Sequence, residues 1–282
     1  GFSPIISDKQ LRRIAPRLVE AHMELNPEQA VAFLSAMRGE NVFLTGGAGV
    51  GKSHTLSVIK VWLERLGKEY ALTASTGCAA AIIGASTFHS CVGVGLGTAP
   101  WHVYAQKIVK EDKFRYARLR KIDVLIIDEV GMLDGTLFDK AGTVVGKIRR
   151  DFGRDFGSLV ANVAETEPYH GLQIIACGDF LQLPPVKALS DGWVFESKAW
   201  KALEFRNFLL TIIHRQKNDA AFVGILGRMR LGQSTHEDFV DLGARSARSG
   251  GASSSLTMPC RRRARRARRT WRARCSCPRC SA

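Results

Sequence analysis

VFLTGGAGVGKS, Val42 to Ser53, joins an apolar run to a glycine-rich turn and leads directly into the helix-forming stretch HTLSVIKVWLERL. Gly46 to Ser53 fits G-x-x-x-x-G-K-[ST] in the strand–turn–helix setting that the pattern requires. Glycines let the backbone turn tightly and approach a ligand closely. Successive N–H groups can then cradle phosphate oxygens at a helix N-terminus, where the helix dipole also favours anions. The residues expected around a bound nucleotide are Gly46, Gly47, Ala48, Gly49, Val50, Gly51, Lys52, Ser53 and His54. Lys52 is expected to reach the β- and γ-phosphates and Ser53 to ligate Mg²⁺. A ligand-free strand-to-helix turn would not need the lysine and hydroxyl in that register.

Outward from this turn, apolar runs at Val42–Thr45, Tyr70–Ala74, Val124–Asp128, Leu172–Cys177 and Phe208–Thr211 alternate with helix-like stretches. That alternation predicts an α/β fold, a parallel sheet flanked by helices. LNPEQAVAFLSAM supplies a helix start, with Asn26 as N-cap, Pro27 at the first helical position and Gln29 placed to close a capping box. Gln29 has a second reading, a hydrogen bond to an adenine edge, and the sequence leaves the two open. After Met132, LDGTLFDKAGTVVGKIRR has helix-like apolar spacing despite its glycines.

VLIIDE puts Asp128 and Glu129 at the carboxyl end of a second buried-type strand, where ligands of open α/β sheets gather. Asp128 suits a Mg²⁺ role and Glu129 can polarise the water that attacks a γ-phosphate. Alone, such a pair would more simply cap the next helix. CGDFLQLPPV follows a third strand, with Gly178, Asp179 and Gln182 in a turn stiffened by Pro184 and Pro185. It reads either as a proline-terminated loop or as one placing Gln182 beside the γ-phosphate.

The chain has 282 residues, 45% of them hydrophobic, enough for a sizeable core. Its net charge of +15 is unevenly spread: twelve arginines, and no Asp, Glu or Lys, follow Leu242, which leaves the body at +3. A strongly basic partner surface is therefore not a property of the body. No apolar run approaches the roughly 20 residues needed to span a bilayer, so no membrane partner is expected. Cys78, Cys91 and Cys177 are far apart, which argues for reduced thiols and an intracellular compartment. Because the first residue is Gly1, a targeting signal is not assessable.

LTASTGCAAAIIGASTFHS, Leu72 to Ser90, runs through small and hydroxylated residues and has no large side chain between Ile83 and Phe88. Such a segment offers backbone amides and short hydroxyls to something extended and polar. Taken in order, LNPEQ, FLTGGAGVGKS, LTASTGCAAAIIGASTFHSCVGVGLG, VLIIDEVGMLD, IIACGDFLQLPPV and FESKAWKAL…TIIHRQ…FVGILGRMRLG resemble the N-terminal half of the Pif-one (petite integration frequency) DNA helicases, relatives of the RecD helicases in superfamily one. The resemblance runs from about Leu25 to Gln233. It implies a RecA-like P-loop motor domain and an ATP- and Mg²⁺-dependent enzyme moving 5′-to-3′ on single-stranded DNA. Implied partners are single strands and DNA junctions, met by a monomer working inside the cell, in the nucleus, the mitochondrion or both if the source is eukaryotic. It implies that Thr73, Ser75, Thr76, Gly77, Thr87, His89 and Ser90 line the strand, contacting phosphates without reading bases. It also matches Arg215 to an arginine finger on the developing γ-phosphate charge, the alternative being an exposed salt bridge.

Beyond GRMRLGQSTHEDFVDLGA the family pattern of a wedge and a second RecA-like domain is not visible, so an incomplete helicase is expected. The expected organisation is a helical N-terminal extension over 1–24, the RecA-like domain over 25–215, the start of the following region over 216–242, and a disordered Arg-rich tail over 243–282. The tail has the composition of GC-rich coding sequence read out of frame; its rival reading is a nucleic-acid tether. Cys260, Cys275, Cys277 and Cys280 lack convincing zinc spacing. Arg149 to His170 is irregular, with an echo in DFGRDFG, and reads as a surface insertion. The rival functions are a P-loop ATPase of another class and a non-catalytic basic nucleic-acid binder.

Overall fold

Successive side chains of a strand point to opposite faces, so a run apolar at every position requires cover on both. The computed structural model, which describes residues 25–150, 167–185, 192–214 and 219–249, meets that requirement. Helix α1 (Pro27–Met37) opens on the expected reciprocal cap: the Asn26 side chain accepts from Gln29 N and the Gln29 side chain accepts from Asn26 N. Then follow β1 (Val42–Gly46), the phosphate-loop turn, α2 (Lys52–Arg65), β2 (Tyr70–Ala74), α3 (Gly77–Ile82), β3 (Ser86–Thr87), α4 (Phe88–Val92), α5 (Trp101–Glu111), α6 (Lys113–Lys121) and β4 (Val124–Asp128). After a 3₁₀ turn come α7 (Gly135–Arg150), β5 (Gln173–Cys177), a second 3₁₀ turn, α8 (Lys198–Ala202), β6 (Arg206–Leu210) and α9 (Ala220–Arg230).

The six strands run in the order β3-β2-β4-β5-β1-β6, and every recorded pairing is parallel. The path from β1 to β2 passes over β5 and β4, so the carboxyl ends of β4, β5 and β1 lie side by side at the switch of strand order, where α/β sheets bind ligands. Phe43, Leu125, Ile127, Ile174 and Ala176 pack on one face with Ile108, Phe138, Val145 and Trp200. Val42, Leu44, Val124, Ile126, Ile175 and Cys177 pack on the other with Phe33, Met37, Ile59 and Leu63. Each such large apolar side chain contributes about 1.5–3 kcal/mol by leaving water.

Polar residues at strand ends are spent on closing the backbone. Gln173 Nε2 donates to the carbonyls of Ala36 and Glu40, satisfying the end of α1. Asn41 donates to Leu203 O and accepts from Ile174 N, tying the start of β1 to the end of α8 and to β5. Two-residue β3 escapes sequence periodicity because only Ser86 and Thr87 pair, with Thr73 and Ala74. Within α7, Gly142 is required: a Cβ there would sit 2.9 Å from the ring of buried Tyr169.

Two boundaries differ from the sequence expectation. The first compact unit runs to Gly232, past residue 215, and takes in α9. In the second unit, α10 (His236–Ser249) continues through Gly243, where a linker was expected. Thr235 and Asp238 cap each other at its start, and Ala and Arg are good helix formers. The N-terminal extension, residues 151–166 of the insertion and the tail from Gly250 lie outside the described residues.

Candidate functional site

The phosphate-loop glycines are there for steric reasons. Gly46 has φ of 142°, and a Cβ on it would lie 2.3 Å from the carbonyl oxygen of Leu210 on neighbouring β6. Gly51, at φ of 88°, caps α2. Lys52 Nζ donates to the carbonyls of Gly46 and Gly47 at 2.9 and 3.0 Å, which folds the lysine back across the loop. The residues from Ala48 to His54 line a cleft of about 490 Å³ together with Glu129, Gln182 and His214. The sequence-expected loop, acid and glutamine thus meet in one place.

Gln29 sits behind the loop. It is 1% exposed; its Oε1 accepts from Asn26 N at 3.0 Å, and its Nε2 donates to the carbonyls of Val50 and Gly51 at 3.4 Å. Its capping reading is what the structure shows; contact with a base would require these bonds to exchange. Arg215 lies outside the described residues. Its neighbour His214, which sequence reasoning passed over, donates its N–H to Gly49 O at 2.9 Å and pairs through Nε2 with Asn26 Nδ2 at 2.8 Å. Glu28 accepts from Thr211 N and Oγ1, so the start of α1 straps the segment after β6 to the loop.

Asp128 ends β4, buried, and its carboxylate accepts from Glu129 N at 2.9 Å. Glu129 adopts φ of 53°, a left-handed conformation unusual for a non-glycine residue, which turns its side chain off the strand axis into the cleft. Burial pushes the Glu129 carboxyl above the usual carboxylate range; Asp128 and Asp179 add to the rise and Lys52 opposes it. Among the described residues no group of three or more His, Cys, Asp or Glu could hold a metal unaided. Ser53, which lines the cleft, and Asp128, which adjoins Glu129, each carry a hard oxygen donor of the kind Mg²⁺ accepts, and Mg²⁺ keeps waters and phosphate oxygens for most of its shell.

After β5, Phe180 anchors the loop among the rings of Phe43, Phe195 and Trp200, with centroids 5.1, 4.8 and 6.0 Å away. Buried Asp179 receives Leu181 N and Gln182 Nε2, each at 3.1 Å. It also receives two bonds from Arg230 of α9, at 2.7 and 2.9 Å. Burial raises the Asp179 pKa, but the bonds from Arg230, Leu181 and Gln182 outweigh it and hold the carboxyl below its ordinary value. Arg230 went unnoticed in the sequence because its partner lies 51 residues away.

A second concavity, about 580 Å³, opens at the carboxyl ends of β2 and β3 and is lined by Ser75, Gly77, Thr87, His89 and Ser90 among others. Thr76 and Thr87 are N-caps, accepting from Ala79 N and Ser90 N. Burial lowers the His89 pKa, favouring the neutral ring. Thr73 does not belong to this surface: it is fully buried in β2 and its hydroxyl donates to Ile126 O at 2.8 Å. Lys107, Tyr104 and Arg115 also line the groove, with Arg115 Nε donating to Ser90 O at 3.2 Å. The available signal for them was the run KIVKEDKFRYARLRK, residues 107–121, whose bases outnumber its acids.

A family model described as PIF1-like helicase matches residues 24–238. The chain is 39% identical over 233 residues to the ATP-dependent DNA helicase PIF1 of Candida albicans, covering 77% of this chain and 24% of that protein. The crystal structure of Pif1 helicase from the same organism matches with a TM-score of 0.66 at 39% identity, over 77% of this chain and 47% of the other. Pif1 from Bacteroides in complex with ADP-AlF3 and single-stranded DNA matches with a TM-score of 0.58 at 28% identity, over 76% and 48%. A structure of forked duplex DNA unwound by two coordinating Pif1 helicases matches with a TM-score of 0.60 at 29% identity, over 78% and 51%. The chain therefore spans about a quarter of the curated Candida relative. Because the family match takes in every strand of the sheet and both loops of the cleft, the chain belongs to the PIF1-like helicase family.

Proposed function

We propose that this chain is the first motor domain of an ATP-dependent DNA helicase that moves 5′-to-3′ on single-stranded DNA, with the unwinding activity belonging to the longer protein. The observation that carries the reading is the placement of two sites on one edge of one sheet. The cleft of Lys52, Ser53, Glu129 and Gln182 follows β1, β4 and β5, and the small-residue groove follows β2 and β3. Strand β4 bonds both β2 and β5, so a shift at Asp128 is one backbone pairing from Ala74 at the groove.

In this reading the loop amides and the N-terminus of α2 hold phosphates, Lys52 neutralises the outer ones, and Ser53 and Asp128 hold Mg²⁺. Bound Mg²⁺ supplies Lewis-acid charge neutralisation on phosphate oxygens. Glu129 accepts a proton from water, Gln182 marks the γ-phosphate, and Arg215 closes on it when the two motor domains meet. In the groove, Ser75 Oγ is buried without a hydrogen-bond partner among the described residues, the state of a hydroxyl that a ligand completes. Gly77, Thr87, neutral His89 and Ser90 contact the strand backbone, and Lys107 and Arg115 add charge that makes binding salt-dependent. Single strands and junctions are the intended substrates, met by a monomer inside the cell.

The test is a pair of titrations on the full chain, with a fluorescent ATP analogue and a labelled single-stranded oligonucleotide. Lys52→Ala is expected to lower analogue affinity by at least about tenfold while leaving DNA affinity unchanged. His89→Ala with Lys107→Ala is expected to do the reverse and to flatten the dependence of DNA affinity on salt. DNA affinity indifferent to the groove variants, or ATP hydrolysis never stimulated by single strands in the longer protein, would instead favour a P-loop ATPase of another class.

A further inference from the structure

The loop after β5 is locked by packing at Phe180 but not at Gln182, which is exposed. What holds the Gln182 carboxamide is Asp179 Oδ2, and that same oxygen accepts from Arg230 Nε while Oδ1 accepts from Arg230 Nη2 and Leu181 N. The guanidinium is therefore the partner that neutralises a carboxylate whose side chain is 1% exposed. Its own stem runs alongside the phosphate loop, with Cδ 4.0 Å from where a Cβ on Gly47 would be. Arg230 is also the last residue of α9, two positions before the first unit ends at Gly232.

We propose that Arg230 is a positioning residue that makes the cleft select nucleoside triphosphate over diphosphate, by cancelling the Asp179 charge and fixing Gln182 at the γ-phosphate end. The inference rests on the reading of the cleft as a nucleotide site. The physical reason is charge balance. Glu129 and Gln182 line the cleft with Lys52, and an unpaired Asp179 behind Gln182 adds a negative charge that works against the extra charge of a γ-phosphate. Asp179 Oδ2 accepts from the carboxamide of Gln182, which lines the cleft with Glu129, so its charge lies one hydrogen bond from the site. The bidentate geometry, which lysine cannot reproduce, also sets the plane of the carboxylate and hence the direction in which Gln182 points. Since α9 leads out of the first unit, the same ion pair mechanically connects the γ-phosphate end of the cleft to the point where the chain leaves it.

The experiment measures binding of fluorescent ADP and of a fluorescent β,γ-imido ATP analogue to the full chain. Arg230→Gln is expected to weaken the ATP analogue on the order of tenfold, as one uncompensated charge at partly screened distance would, with ADP changed less than about twofold. Arg230→Lys is expected to fall between. The double variant Asp179→Asn, Arg230→Gln, which removes both charges, is expected to recover most of the lost discrimination. A purely structural role for the pair predicts otherwise: equal losses for both nucleotides, with no recovery in the double variant, and that result overturns the proposal, as does an unchanged ATP-to-ADP ratio in a folded Arg230→Gln. Lys52→Ala serves as the control for the underlying reading. If it leaves both affinities intact, the nucleotide site itself is refuted; if it abolishes both while Arg230→Gln changes neither, only the role of Arg230 is.

Discussion

At the scale of single residues, the site is built from groups held away from their ordinary states. Glu129 combines a left-handed backbone with a carboxyl that gives up its proton less readily than an ordinary glutamate, because burial and two neighbouring carboxylates disfavour the charge. A base must be ionised to accept a proton, so ATP hydrolysis is expected to fall as pH drops, with a midpoint above the ordinary glutamate value of 4.5. A pH–rate profile of ATP hydrolysis with single-stranded DNA checks this; Glu129→Gln is expected to abolish the rate at every pH. The stability effect has the opposite sense. A carboxyl whose pKa is raised by folding stabilises the fold most when protonated, and that contribution is lost as pH rises through the folded value. Sequence showed Glu129 as an acid after a strand, but not its strained conformation, which only the turn into the following 3₁₀ helix imposes.

Among the elements, one guanidinium joins the end of α7 to the end of α6 and to the turn before β5. Arg149, near the end of α7, donates to the carbonyls of His170, Leu119, Ile122 and Gly171 at 2.8, 2.9, 2.8 and 3.2 Å. It thereby satisfies the last turn of α6 and the connection into β5. Removing it leaves several partly buried carbonyls unpaired, each costing about 1 kcal/mol or more. Arg149→Ala is therefore expected to lower unfolding free energy by about 2–4 kcal/mol in a urea titration, with nucleotide affinity at saturating protein stability unchanged. The helix α1, in contrast, was readable from Asn26, Pro27 and Gln29 alone, because a capping box is a local pattern spanning four residues. Nothing local announced Arg149, since its partners stand 21 to 30 residues away.

For the whole molecule, the two candidate sites lie within the first unit, and none of their described residues comes after Arg230. Ending the chain after Ser249 removes ten of the twelve tail arginines. Such a variant is expected to bind the ATP analogue as the full chain does, while its DNA affinity at low salt falls and its salt dependence weakens. Parallel titrations of both chains at two salt concentrations check this. DNA affinity equal in the two chains at low salt would show that the groove alone supplies the contacts.

The sequence by itself determined the α/β class, four of the five expected strands to within a residue, and the chemical identity of the phosphate loop, the acid pair and the small-residue surface. These are encoded by period and by contiguous motifs, which obey local sterics and hydrogen bonding. Tertiary structure decided the rest: that β5 stands between β4 and β1 so the motifs share one cleft, that Thr73 is spent on the sheet while Lys107 and Arg115 reach the groove, and that Arg230 secures Asp179. Those outcomes depend on which distant segments meet, and no spacing along a chain records the direction from which a partner arrives.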